Sequence, residues 1–210
     1  MKLFQKLLKE PFAKSSAKFM KVACYFVIFL HVLCLGLSII GRQTFFLHSQ
    51  TGTYEHAIYA EENHNPTSRS FTVSIGDDIH VWTNGDDKID LRTQVGISIM
   101  YTVNVVPLIF AFWFLSQVFS NVSKGKIFTE KNARYLLYYG LLQFFTSLAV
   151  PFIKLFICYL VNLVSDSRLS ISTGQTMLNT LIPSIAFIVA AYIIHYGIHL
   201  QDEVDHTLWS

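Results

Sequence analysis

Four apolar stretches decide what this chain can become: Lys21–Ile40, Ile97–Phe119, Tyr135–Leu163 and Met177–Leu200. Each is long enough to cross the ~30 Å hydrocarbon core of a bilayer, which takes roughly 20 helical residues. No water reaches backbone groups inside lipid, so a crossing segment must pair its own N–H and C=O groups, and a helix does this within one stretch. The expected fold is an all-α integral membrane four-helix bundle. Composition agrees, since 52% of the 210 residues are hydrophobic and 14% are charged. The first stretch follows a basic start but is too long for a cleaved leader, so it reads as a retained anchor.

The distribution of Lys and Arg sets the orientation. Lys2, Lys6, Lys9, Lys14, Lys18 and Lys21 precede the first span, and Lys124, Lys126, Lys131 and Arg134 fill the 120–134 loop between the second and third. Basic loops stay on the inner side, which makes both segments cytoplasmic and, with four spans, the C-terminus as well. The protein is then expected in a bacterial cytoplasmic membrane with both ends inside. Its net charge of +2 is small and divided between sides, which gives nucleic-acid binding no support. Cys24, Cys34 and Cys158 all fall within spans and read as small apolar residues.

The connecting segments differ in kind. Residues 1–20 place Leu3, Phe4, Leu7 and Leu8 opposite Lys2, Lys6 and Lys9, the pattern of an interfacial helix that Pro11 ends and Ser15 and Ser16 release. Residues 41–96 are polar and β-prone. Ser70–Ile75 alternates, and Ile79–Thr83 joined through Asn84-Gly85 to Lys88–Arg92 has the signature of a hairpin. This small outer segment has no cysteine and is expected to lean on the helices or on a partner. Its histidines, His48, His56, His64 and His80, match no standard metal spacing. Residues 164–176 read as a short polar loop, and Lys154 as a residue reaching from the third span to the surface.

Two stretches carry the chemistry. In the last helix, continued into the 201–210 tail, His195, His199, Asp202 and His206 recur at i, i+4, i+7 and i+11, so one stripe could ligate a metal. The HExxH arrangement of a zinc hydrolase is missing, because Tyr196 follows His195. His31 in the first span and His195 in the fourth could also clasp a haem. In the loop, Gly125 stops a helix and Thr129 with Glu130 starts the next, with Phe128 at the staple position. Asn104, Pro107, Pro151 and Pro183 read as kink and packing features.

These stretches resemble a known family. LQDEVDHTL, Leu200–Leu208, is similar to the C-terminal signature of the bacterial membrane proteins catalogued as domain of unknown function 2975, carried here by Gln201, Glu203, Asp205 and Thr207. Gly125, Phe128, Asn132 and Leu136 resemble that family's inner-loop pattern. Asp202, Ile127 and Leu208 depart from it, and His195, His199 and His206 lie outside it. The resemblance implies a small four-span inner-membrane protein, often associated with a compact helix-turn-helix regulator, in regulation or in self-protection against membrane-active peptides.

No nucleophile with a base, paired catalytic carboxylates or phosphate loop is evident, so a non-enzymatic role without a cofactor is expected. The favoured reading is a regulator, accessory subunit or immunity factor. It binds membrane lipids and a protein or peptide partner, through the outer segment or the cytoplasmic face. Self-association suits the aromatic spans, although GxxxG is missing. The alternatives are a channel or transporter subunit and a metal or haem protein built on the last-helix histidines.

Overall fold

The computed structural model describes residues 10–50, 52–57, 71–74, 78–83, 89–172 and 177–208, with 10, 11, 13, 54–57, 177–180 and 201–208 described by backbone alone. In chain order come α1 (Glu10–Ile39), β1 (Thr44–Ser49), β2 (Gly52–Ala57), β3 (Asp78–Trp82), α2 (Leu91–Ser123), α3 (Glu130–Val164), β4 (Arg168–Ser172) and α4 (Met177–Leu208). Four stretches within helices are long and apolar enough to cross a membrane: Lys14–Ile39, Leu91–Ser123, Glu130–Val164 and Leu181–Leu200. At 35 residues α3 is about 50 Å long, far more than the ~30 Å that lipid requires.

The N-terminal amphipathic pattern lies outside the described residues. Pro11 falls in the first turn of α1, where its missing N–H costs nothing, and Ser15 and Ser16 are helical. They give no slack before the span.

α1 and α2 end by the same device. Gly41 (φ 84°) and Gly125 (φ 81°) adopt the left-handed conformation that a Cβ would penalise. The N–H of Gly41 donates to Ser38 and that of Arg42 to Leu37; the N–H of Gly125 donates to Val122 and that of Lys126 to Asn121. This paired arrangement satisfies carbonyls that a helix end leaves orphaned.

The chain divides into two compact units: Met1–Leu30 with Pro107–Thr146 and Leu178–Ser210, and His31–Val106 with Ser147–Met177. In the first unit Val118, Leu136 and Ala191 form a buried cluster, flanked by Leu115, Tyr135 and Phe187 among others. Gly140 permits the close approach of α3 and α4, since a Cβ there would lie 2.8 Å from Ile188 Cγ1 and 3.2 Å from the Ser184 carbonyl.

The second unit is built on a four-stranded sheet of order β2-β1-β3-β4. β1 pairs with β2 antiparallel and with β3 parallel, and β3 pairs with β4 antiparallel. Alternation explains which face is buried. Phe45, Leu47, Ile79, Val81 and Leu169 are 0–2% exposed, each contributing about 1.5–3 kcal/mol by leaving water.

Four expectations fail here. The hairpin does not form, because Leu91 and Arg92 already belong to α2 and β3 pairs instead with β1 and β4. Val73 makes one isolated bridge to Gln43 where a strand was expected. The 164–176 connection is not merely a loop, since it supplies β4. Asn162 holds that strand, accepting from the Leu169 N–H at 2.7 Å and donating to the Leu169 carbonyl at 2.8 Å. Lys154 is 6% exposed, so it does not reach towards the surface.

The start of α2 is bound to the end of α3. Asp90 caps α2, accepting from the Thr93 hydroxyl at 2.5 Å and the Ser165 hydroxyl at 2.9 Å, and Arg92 donates to the Val164 carbonyl. Partial burial pushes the Asp90 carboxyl up, but bonds from Thr93, Ser165 and backbone amides outweigh it and hold the group below its usual range. Gly96 completes the junction, because a Cβ there would meet Val161.

Candidate functional site

The sheet's other face carries a cluster of rings. β1 turns Phe46 and His48 away from the core, and β3 does the same with His80 and Trp82. The parallel register sets Phe46 beside His80 and His48 beside Trp82. Their rings stack with centroids 5.1 and 4.7 Å apart, while His48 and His80 stack at 5.1 Å. All four are partly accessible, Trp82 most of all at 40%.

Within this cluster His48 Nε2 lies 2.8 Å from His80 Nδ1, so one ring donates and the other accepts. On its far side His48 Nδ1 is 3.0 Å from the Thr53 hydroxyl, which fixes the ring's orientation. A row of mutually stacked aromatic and imidazole rings, backed by a packed sheet, offers apolar contact area and polar ring nitrogens in fixed positions. None of these residues was singled out by spacing. The signal was present as Phe46-x-His48 and His80-x-Trp82, two alternating strands whose register only the fold supplies.

The elbow between α2 and α3 is the second constellation. Asn132 is fully buried; its amide donates to the carbonyls of Lys126 and Ile127 at 2.7 and 2.8 Å and accepts from the Asn121 amide at 2.8 Å. Thr129 caps α3, its hydroxyl 3.3 Å from the Asn132 N–H, and Glu130 pairs with Arg134 at 2.7 Å. Gly125 and Asn132 thus shape the turn. Phe128 is 61% exposed, so it does not act as a staple.

The third constellation is the α4 stripe. α4 runs unbroken to Leu208, which keeps His195, His199, Asp202 and His206 on one helical face in backbone register. The His195 and His199 rings meet edge-on with centroids 4.8 Å apart, and both are exposed. The side chains of Gln201, Asp202, Glu203, Asp205, His206 and Thr207 lie outside the described residues. Among the described residues no group of three or more His, Cys, Asp or Glu side chains is placed to hold a metal ion.

No curated protein and no solved structure matches the chain. A family model described as protein of unknown function, DUF2975, matches residues 53–208, taking in β3, β4, the elbow and α4 to its end. The match covers well over half of the sequence and includes both stretches that carry the resemblance, so the chain belongs to the DUF2975 family.

Proposed function

We propose that this is a non-enzymatic, multi-pass protein of the bacterial cytoplasmic membrane that works by binding a protein or peptide partner, in a regulatory, accessory or immunity role. The observation that carries this reading is the ring cluster of Phe46, His48, His80 and Trp82. Among the described residues the ring face is the less buried side of the sheet, and it offers rigid aromatic anchors, the residue type that dominates binding interfaces. The basic residues around the elbow argue that it is cytoplasmic and that the sheet lies outside. Gln201, Glu203, Asp205 and Thr207 then extend α4 into the cytoplasm as a second contact.

The test is gentle purification with a C-terminal tag, with mass spectrometry of what accompanies the protein. A stoichiometric partner lost from the Phe46→Ala, Trp82→Ala double variant is the expected result. A partner retained by that variant removes the sheet face from the proposal. A reporter fused after Ser210 and active only outside the cell overturns the orientation.

One observation favours the channel or transporter alternative. Lys154 is buried in a membrane-length helix, and an ionisable group in such a place is a mark of function. Ion flux in proteoliposomes that Lys154→Met abolishes would replace the binding reading with this one.

A further inference from the structure

We infer that His48 and His80 form the protein half of a site for a nitrogen-preferring divalent transition-metal ion, with Cu(II) bound above Ni(II) and Zn(II). The inference uses the same sheet face but does not depend on any partner. It also does not follow from family membership, because the matched segment begins at residue 53 and leaves out His48.

Two imidazole nitrogens that ligate one ion at about 2.0 Å are about 2.8 Å apart when they occupy neighbouring corners of a square, and about 3.3 Å apart in a tetrahedron. His48 Nε2 and His80 Nδ1 are 2.8 Å apart. The spacing therefore fits the tetragonal geometry of Cu(II) and Ni(II), and the affinity order for nitrogen donors puts Cu(II) first.

The surroundings supply what a ligand pair needs. Thr53 sits 3.0 Å from His48 Nδ1 and its hydroxyl can accept a hydrogen bond from an N–H there, which leaves the Nε2 lone pair for the ion. Phe46 stacks on His80 and Trp82 on His48, limiting rotation of both rings. The strands are locked in register by the ladder between β1 and β3.

The proton balance is simple. Each neutral imidazole keeps one N–H: His48 at Nδ1, donated to Thr53, and His80 at Nε2, facing away from the ion. His80 changes tautomer by exchange with water, and the pair releases no net proton. Water fills the remaining coordination positions.

The bland reading is that the His48–His80 hydrogen bond only helps to tie β1 to β3. That reading expects no metal affinity. The experiment is titration of the metal-stripped full chain in detergent with Cu(II) alone, read by quenching of tryptophan fluorescence and by electron paramagnetic resonance. One equivalent should bind, with two coupled imidazole nitrogens in the spectrum and with quenching that Trp82→Phe largely removes. His48→Gln and His80→Gln should each weaken binding by at least the roughly 10–100-fold that loss of an outer-shell partner costs. His195→Ala with His199→Ala should leave this binding intact.

A spectrum without coupled imidazole, or binding that the His195, His199 double variant abolishes, overturns the inference. The His195, His199 double variant, altered only at exposed positions of α4, decides the matter even if a sheet variant fails to fold. An unmutated chain that purifies without any partner yet binds copper would count against the proposed function alone.

Discussion

The elbow and the sheet are held by equally specific bonds, yet they are built on different scales of the chain. At the elbow the hydrogen bonds that Asn132 makes among the described residues span at most eleven positions, to Asn121. In the sheet, β3 finds one neighbour in β1 and the other in β4, beyond two long helices. The two histidine pairs repeat the contrast: His195 and His199 meet because one helical turn brings them together, whereas His48 and His80 are 32 residues apart and meet through strand register. A local constellation can be read from spacing, while a distant one needs the fold.

The largest effect that separates the two regions should come from Leu169→Ala. It removes a side chain 2% exposed in the sheet core and should destabilise by about 2–5 kcal/mol. Hydrogen exchange should show lost protection in β3 and β4, with the elbow amides at Lys126–Ala133 unchanged. Equal loss at the elbow would mean that the two regions do not open separately.

Next comes Asn132→Ala, which leaves two carbonyls and the Asn121 amide without their partner. Each group so stranded costs about 1–3 kcal/mol where water cannot replace the bond, and less where it can. The same exchange measurement should now report the elbow and spare the sheet.

Acid should act on the second unit through Asp90. Its folded carboxyl lies below its ordinary range, so its contribution is present above about pH 4 and is lost as pH falls through the lower folded value. Asp90→Asn should flatten the acid side of a stability profile measured by thermal unfolding. An unchanged slope would remove Asp90 as the cause.

The smallest effect is expected from His195→Ala with His199→Ala. Both residues are exposed on α4, and such substitutions usually change stability by no more than about 0.5 kcal/mol. His48→Ala, which breaks bonds to both Thr53 and His80, should cost more. The reverse order would mean that strand register holds the distant histidine pair no more firmly than one helical turn holds the local pair.

What could be read in the sequence follows the same division. Unbroken apolar runs gave the four long helices, and Gly125 with Thr129 and Glu130 gave the elbow, because each signal is complete within a turn or two. The role of Asn132 was visible only as a family pattern; its bonds to Lys126 and Ile127 need the turn geometry. The sheet was misjudged where partners are distant. Asn84-Gly85 suggested a hairpin, but β1 offered β3 a better neighbour in Phe46 and Leu47, and Asp90 with Thr93 started a helix where the second arm was expected. Arg168–Ser172 resembled a loop because its pairing partner lies far upstream and its backbone is clasped by Asn162.

The placement of β4 also sets a schedule for synthesis. β1, β2 and β3 leave the ribosome before α2, but the strand that covers the free side of β3 follows only after both α2 and α3. At ordinary elongation rates that interval is roughly 5–20 s. Throughout it the backbone of β3 is an open edge, the kind of edge on which chains pair with one another. The newborn protein must therefore pass a brief stage in which its neighbours, rather than its own fold, determine whether β3 stays single.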